Sequence, residues 1–374
     1  MLPHKTLKIK KNLFYETSHS PSLADMYGEG LVDKVIDFCF IANPYYPDKR
    51  LIKKLQEKLP VLIKSYPSSN PMISKNHLAA VLHVPPESLI IGNGATELIT
   101  VINSHFVDDI AIPVPTFSEY LEKLREHKTV KLYQLPPDDN YRLDLDHYAA
   151  WINEQQISAA LIINPGNPTG ELKSLDEMLA FLHTMKHLKM VVVDESFIDF
   201  AGKEIPSLLP HINDFSNLII VRSMSKHCGV PGLRLGYCCS SNSLFIAQLK
   251  QFIPIWNINS VAEYFLTQLH KTDANYHKAR MKVIRDVEIL YAKLKDIPGF
   301  YVYKSGTNFF LIKSLCGLTA EKLQYILLEK YGAYVRDCTN KVGMDQFHIR
   351  VASQGKIKDK LLVNALKDIS KMNM

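Results

Sequence analysis

The chain has 374 residues, of which 47% are hydrophobic and 22% charged, with a net charge of +6. That length suits two cores better than one, and that apolar content excludes a disordered or fibrous chain. The charge is scattered, and its densest cluster, residues 5–11, is short and lacks interleaved aromatics, which argues against nucleic acid or a membrane surface as partner. The six cysteines (Cys39, Cys228, Cys238, Cys239, Cys316, Cys338) form no CxxC pair and no metal-ligand spacing, so reduced thiols in the cytoplasm are expected. No apolar run suggests a signal peptide or a membrane span.

Along the chain, short apolar runs alternate with helix-length amphipathic segments, the pattern of a parallel sheet covered by helices. Strands are expected at 88–91, 109–112, 159–163, 190–193, 218–221 and 233–238, and helices at 95–104, 118–127, 174–186 and 243–251. Cys238 and Cys239, adjacent in one strand, should point to opposite faces. From about Tyr276 a long helix leads into a different texture. There, strands at 301–303, 309–312 and 347–351 alternate with helices at 319–331 and 356–369. The expectation is an α/β chain in which residues 48–275 form a large domain, a mostly parallel sheet sandwiched by helices. Residues 276–374 would form a smaller α+β domain, joined by the arm 1–47.

Ligands in open α/β sheets bind just outside the carboxyl ends of strands, and four of these ends carry polar residues. After Ile91 comes Gly92-Asn93-Gly94-Ala95-Thr96-Glu97, a glycine turn entering a helix whose bare N–H groups offer an anion site. Glu97 stands where a dinucleotide fingerprint wants its third glycine. After Ile163 comes Asn164-Pro165-Gly166-Asn167-Pro168-Thr169-Gly170, a loop stiffer than a simple turn requires. Asp194 closes the apolar run 190–193, where a carboxylate needs a cation or a helix to cap. The run 218–221 feeds Ser223-Met224-Ser225-Lys226, a Gly-Val-Pro-Gly turn and Arg234. A lysine so near a buried strand end can be desolvated into a nucleophilic amine, able to form a Schiff base with the aldehyde of pyridoxal phosphate. Ser223, Ser225 and Arg234 are donors that a phosphate would use. Alone, the same stretch also reads as a solvated basic loop. His183 and His187, four apart on an expected helix, have no third ligand of suitable spacing, so a solvated helix face and no metal are expected. No G-x-S-x-G elbow is present.

Taken together and in this order, GNGATE, NPGNPTG, Asp194 in VVVDESF, SMSK and GLRLGY resemble the class I/II aminotransferase family. Its members are pyridoxal-phosphate enzymes of the aspartate aminotransferase fold, fold type I. The resemblance runs from about Asp37 to Arg350. DESFIDF, VPGLRLGY and VRDCTN are similar to the branch of histidinol-phosphate aminotransferase and threonine-phosphate decarboxylase. It implies pyridoxal 5'-phosphate held by Lys226, which then moves a proton between Cα and C4′. It also implies Asp194 at the pyridine nitrogen, Asn167 at the ring hydroxyl and Phe117, of PTFSEY, stacked on the ring. Gly94, Ala95, Thr96, Ser223, Ser225 and Arg234 would hold the cofactor phosphate. Tyr66, of SYPSSN, would reach the cofactor phosphate of a neighbouring subunit, implying a homodimer with composite sites. Arg350, of HIRVAS, would grip a substrate α-carboxylate through a bidentate fork, and Arg336, of VRDCTN, a distal phosphate. Asn43 and Asn167 complete the implied substrate contacts.

Three departures bear on the reaction. Phe197 stands where most members carry a tyrosine, as it does in the decarboxylases, and removes one hydrogen bond to the ring hydroxyl. Ile41 stands where the branch usually carries asparagine near the substrate. Thr17-Ser18-His19-Ser20 half resembles the decarboxylase's histidine-glycine phosphate clip. The expectation is a cytoplasmic, homodimeric enzyme acting on a small phosphorylated or phosphonate amino compound. Transamination to a 2-oxo acid such as 2-oxoglutarate comes first, and decarboxylation of a phosphorylated amino acid is the alternative. A cofactor-binding regulator is a third reading, opposed by the intact set Lys226, Asp194 and Arg350.

Overall fold

The computed structural model describes residues 20–27, 35–122, 124 and 128–372, so Thr17, Ser18 and His19 lie outside the described residues. A short helix, Leu23–Tyr27, precedes a short strand, β1 (Ile36–Asp37). Seven strands then build one sheet: β2 (Leu89–Asn93), β3 (Asp109–Val114), β4 (Thr129–Gln134), β5 (Ala159–Ile163), β6 (Met190–Asp194), β7 (Leu218–Ser223) and β8 (Leu235–Cys239). Their spatial order is β2-β8-β7-β6-β5-β3-β4. Only β8 runs antiparallel to its neighbours within this sheet. The carboxyl ends of β2, β3, β5, β6 and β7 therefore share one edge, and β8 starts there.

Strands covered on both faces read as continuous apolar runs, which is why the central ones were visible in the sequence. Val191, Val193 and Ile220 face a core with Tyr148, Phe181, Leu182 and Phe265, while Val192, Ile219 and Val221 face one with Leu98, Ile99 and Ile102. Cys239 belongs to the first core and Cys238 to the second, as a period of two requires. All six cysteines are free. The edge strand β4, Thr-Val-Lys-Leu-Tyr-Gln, is exposed or half-buried throughout and shows no apolar run.

Side-chain caps set the starts of several helices. Ser174 and Glu177 form a reciprocal capping box at Leu175–Thr184, and Asp144, Asn242 and Thr319 cap Leu145–Glu154, Ser243–Phe252 and Ala320–Tyr331. Each such cap contributes about 1 kcal/mol. Most expected elements shift by one to three residues at an end. The strand expected at 233–238 opens only at Leu235, because Leu233 closes a 3-10 turn and Arg234 adopts a left-handed φ of +56°. The helix expected at 118–127 is helical over Glu119–Glu122, and most of its remainder lies outside the described residues.

The C-terminal part contributes β9 (Phe300–Val302), β10 (Phe309–Ser314), β11 (Ala333–Tyr334), β12 (Arg336–Asp337) and β13 (His348–Ala352). An antiparallel sheet runs β12-β13-β10-β9, and β11 pairs in parallel with β1. Phe38 lies in the core beneath this sheet, with Phe310, Ile349, Leu327 and Leu366. Helix Asp273–Leu294 links the two halves: Ala279 packs into the first core, Leu290 and Leu294 into the second. No helix among the described residues is long and apolar enough to cross a membrane.

Candidate active site

The site forms where the shared edge of the large sheet meets β12 and β13. At the end of β6, Asp194 keeps the parity of Met190 and Val192 and turns toward the helix Gly94–His105 side. It is buried, accepts from Tyr120 Oη at 2.9 Å and from the Ser196 N–H at 2.8 Å. Burial raises its pKa, against the pull of the Ser196 and Tyr120 hydrogen bonds and of Lys226. The next residue, Glu195, points to the other face, where Arg222 donates to it at 2.6 Å and also approaches Asp199. One strand end thus separates a carboxylate with a dedicated cation from one that has only neutral donors.

Lys226 follows β7. Burial, then repulsion from Arg350 and Arg234, lowers its pKa to about 8, against the pull of Asp194. Its ammonium lies 5.9 Å from the centre of the Phe197 ring. Phe197 meets Phe309 edge-on at 5.2 Å, and Ile41 and Ala352 complete the cluster. The two residues that departed from the family pattern, Ile41 and Phe197, therefore pack together as one apolar wall beside the lysine.

Gly94 opens its helix at φ +74°, and a Cβ there would lie 2.5 Å from Arg234 Nη2. The left-handed turn at Arg234 returns its carbonyl to the Gly94 N–H at 2.9 Å and lays the guanidinium over that helix start. Gly236 is equally constrained, since its Cβ would lie 2.3 Å from the Ala95 nitrogen. Ala95 and Thr96 sit in the same first turn. The Ser225 hydroxyl is buried without a partner among the described residues, while Ser223 is tied through its N–H to Ser196 Oγ at 2.9 Å. A helix start, a guanidinium and an orphaned hydroxyl make an anion cradle. With a low-pKa lysine and a buried carboxylate beside it, this donor set fits pyridoxal phosphate. Phe117, in the loop after β3, packs partly buried on the neighbouring core.

On the other side of the cleft, Arg336 and Arg350 are register partners on β12 and β13. Arg350 donates to Asn167 Oδ1 and to the Cys39 carbonyl, each at 2.7 Å, and lies 5.4 Å from the Phe309 ring centre. Its Nε is buried without a partner among the described residues. Arg336 donates to Ser20 Oγ at 2.5 Å and to Asn340 Oδ1 at 2.9 Å. Of the half-matched clip, Ser20 is therefore at the site, and Thr17, Ser18 and His19 lie outside the described residues.

The Asn43 side chain is tied to the backbone, and Tyr66 lies on the surface. The Asn43 side chain donates to the His227 carbonyl at 3.0 Å and accepts from the Tyr45 N–H at 2.9 Å, because the arm must be fastened to the lysine loop. It fastens the loop that carries Lys226, whose carbonyl accepts from the Asn43 N–H. Tyr66 is 81% exposed, its ring 4.9 Å from that of Trp256, on the outside of the protein. His183 packs edge-on against Phe215. Sequence reasoning missed Tyr120, although it lies three residues beyond Phe117 in PTFSEY. It also missed Lys341, whose buried ammonium crosses the cleft to Ser118 Oγ, a pairing without any local signal.

Comparison with known proteins agrees with this architecture. The family model for aminotransferase class I and II matches residues 33–367. The L-serine phosphate decarboxylase of Campylobacter jejuni is 34% identical, the alignment covering 98% of this chain and 97% of that protein. The histidinol-phosphate aminotransferase of Thermoanaerobacter pseudethanolicus is 30% identical over 87% of this chain and 91% of its own. The solved structure of a decarboxylase from Sulfurospirillum multivorans superposes with a TM-score of 0.81 at 32% identity, covering 89% of this chain and 94% of that one. These likenesses favour the decarboxylase alternative over transamination as the first reading. The chain belongs to the aminotransferase class I and II family and is a fold-type I enzyme that works with pyridoxal phosphate.

Proposed function

We propose that this enzyme decarboxylates a small O-phosphorylated amino acid of the L-serine phosphate type. The observation that carries the reading is the wall of Ile41, Phe197, Phe309 and Ala352 beside Lys226. These side chains offer no hydrogen bond. A carboxylate turned toward them loses hydration that its charge-dispersed transition state needs less. Similarity to L-serine phosphate decarboxylases supports the same choice.

Pyridoxal phosphate bound at the site supplies the electron sink for the α-carbon. Lys226 is the residue to hold it. With a pKa lowered to about 8, Lys226 can also deliver a proton to Cα once carbon dioxide has left. Asp194, fixed by Tyr120 and Ser196, fits the pyridine nitrogen, and Gly94, Ala95, Thr96, Ser223, Ser225 and Arg234 fit the cofactor phosphate. Arg350, braced on Asn167, turns the substrate carboxylate toward the wall, and Arg336 with Ser20 takes the substrate phosphate. Phe117 covers the ring. We further propose the partition 1–47, 48–275 and 276–374, a cytoplasmic location, and a homodimer in which Tyr66 completes the partner's site.

The test is to mix the holoenzyme with L-phosphoserine, with and without 2-oxoglutarate. Carbon dioxide release independent of the acceptor is expected. Conversion of the cofactor to its amine form, with amino transfer to 2-oxoglutarate, would return the assignment to transamination.

A further inference from the structure

We propose that Lys341 is a third cation of the substrate's anion site and makes that site select a doubly charged phosphate over a neutral or singly charged group. The inference rests on the phosphorylated-substrate reading above. Lys341 lies in the turn after β12, is 9% exposed, and donates to Ser118 Oγ from across the cleft. Ser118 is the residue after Phe117, so the ammonium is brought to the cofactor side of the cleft. Arg336 and Arg350 both act on it electrostatically and, with burial as the larger cause, lower its pKa to about 8.

The charge balance makes the case. Among the described residues, no carboxylate lies within ion-pair distance of Lys341 or Arg350. Arg350 is held by an amide oxygen and a carbonyl, and Lys341 by a hydroxyl. Glu122 and Asp37 exert only longer-range attraction, and Asp37 is itself occupied by the N–H groups of Cys39 and Phe40. Buried like charges with neutral partners are costly, and a bound anion removes that cost. Two arginines can serve one carboxylate and one singly charged group. A third cation suits a phosphate ester dianion, whose oxygens can accept from the ammonium together with Arg336. A plain tether between two loops would not require a buried charge, since a neutral donor would hold Ser118 equally well.

The experiment is titration of the holoenzyme, read from the cofactor absorbance, with phosphoethanolamine and L-serine at equilibrium and with L-phosphoserine by stopped flow before turnover, in wild type, Lys341→Met, Lys341→Arg and Ser118→Ala. The Met variant is expected to lose phosphorylated ligands by about 10- to 100-fold, the range of a charged hydrogen bond. L-serine should change by less than about 3-fold, the Arg variant should recover most of the loss, and Ser118→Ala should keep phosphate affinity. Equal loss for all three ligands, or the same loss in Ser118→Ala, would make Lys341 a tether only and overturn the proposal. Failure of the underlying reading has a different signature: wild type itself would bind L-serine as tightly as L-phosphoserine.

Discussion

The side chain most open to a decisive substitution is Arg336. Its guanidinium is buried and fixed by Ser20 and Asn340. Arg336→Ala should weaken phosphorylated substrates by about 1.5–3 kcal/mol, seen as a rise in KM that unphosphorylated analogues do not share. Tyr120→Phe leaves one Asp194 oxygen without its donor inside the core. It should lower stability by about 1–3 kcal/mol in urea unfolding and loosen cofactor retention. The residues legible from sequence were those displayed at strand ends in contiguous motifs: Lys226, Asp194, Asn167 and Arg234. Tyr120 and Lys341 were not legible because their chemistry comes from partners 74 and 223 positions away. The tie of Asn43 to the lysine loop was hidden for the same reason, since its partner is a backbone carbonyl 184 positions off.

At the scale of elements, the cradle depends on three segments meeting without side-chain volume: the turn into helix Gly94–His105, the left-handed residue Arg234, and the start of β8. Gly94→Ala adds both a strained positive φ and a Cβ 2.5 Å from Arg234 Nη2. Because the arginine tip can move, folding should survive, while affinity for pyridoxal phosphate, measured by equilibrium dialysis, should fall by at least about 10-fold. Gly236→Ala is a different case: the added carbon meets the Ala95 backbone nitrogen, which cannot step aside. That variant should be destabilised by more than about 2 kcal/mol and fold poorly. Boundaries followed the same logic. Buried strands announce themselves by composition and Leu175–Thr184 by its capping box. The edge strand β4 is solvated like a loop, and the two-residue strands β1, β11 and β12 are too short for any period to show.

At the scale of the whole molecule, Val61, Ile63, Tyr66, Ile73, Ile255 and Trp256 are all exposed, and the Tyr66–Trp256 contact ties the two segments into one surface. If this surface is the homodimer interface, Ile63→Glu combined with Ile73→Glu should yield monomers in sedimentation. Those monomers should bind the cofactor more weakly, for want of the partner's Tyr66. The cation cluster carries a pH signature in the cofactor-free protein. Lys341 has a folded pKa of about 8 against an ordinary value of 10.5, so between those values the unfolded chain binds more protons. Its contribution to stability therefore rises as pH climbs through that window and falls as pH drops toward 8. The urea midpoint of the wild type should gain on that of Lys341→Met from about pH 8 to about pH 10. A flat difference would mean the ammonium is not desolvated.

The pairing of β1 with β11, and the place of Phe38 beneath the second sheet, dictate an order of assembly. A ribosome makes β1 long before its partner strand β11. At about 5–20 residues per second, the wait is on the order of tens of seconds. During that interval an apolar segment has nowhere to dock, so a nascent chain stalled ahead of Ala333 is a natural client for a chaperone, and proteases acting on unfinished chains should cut there first.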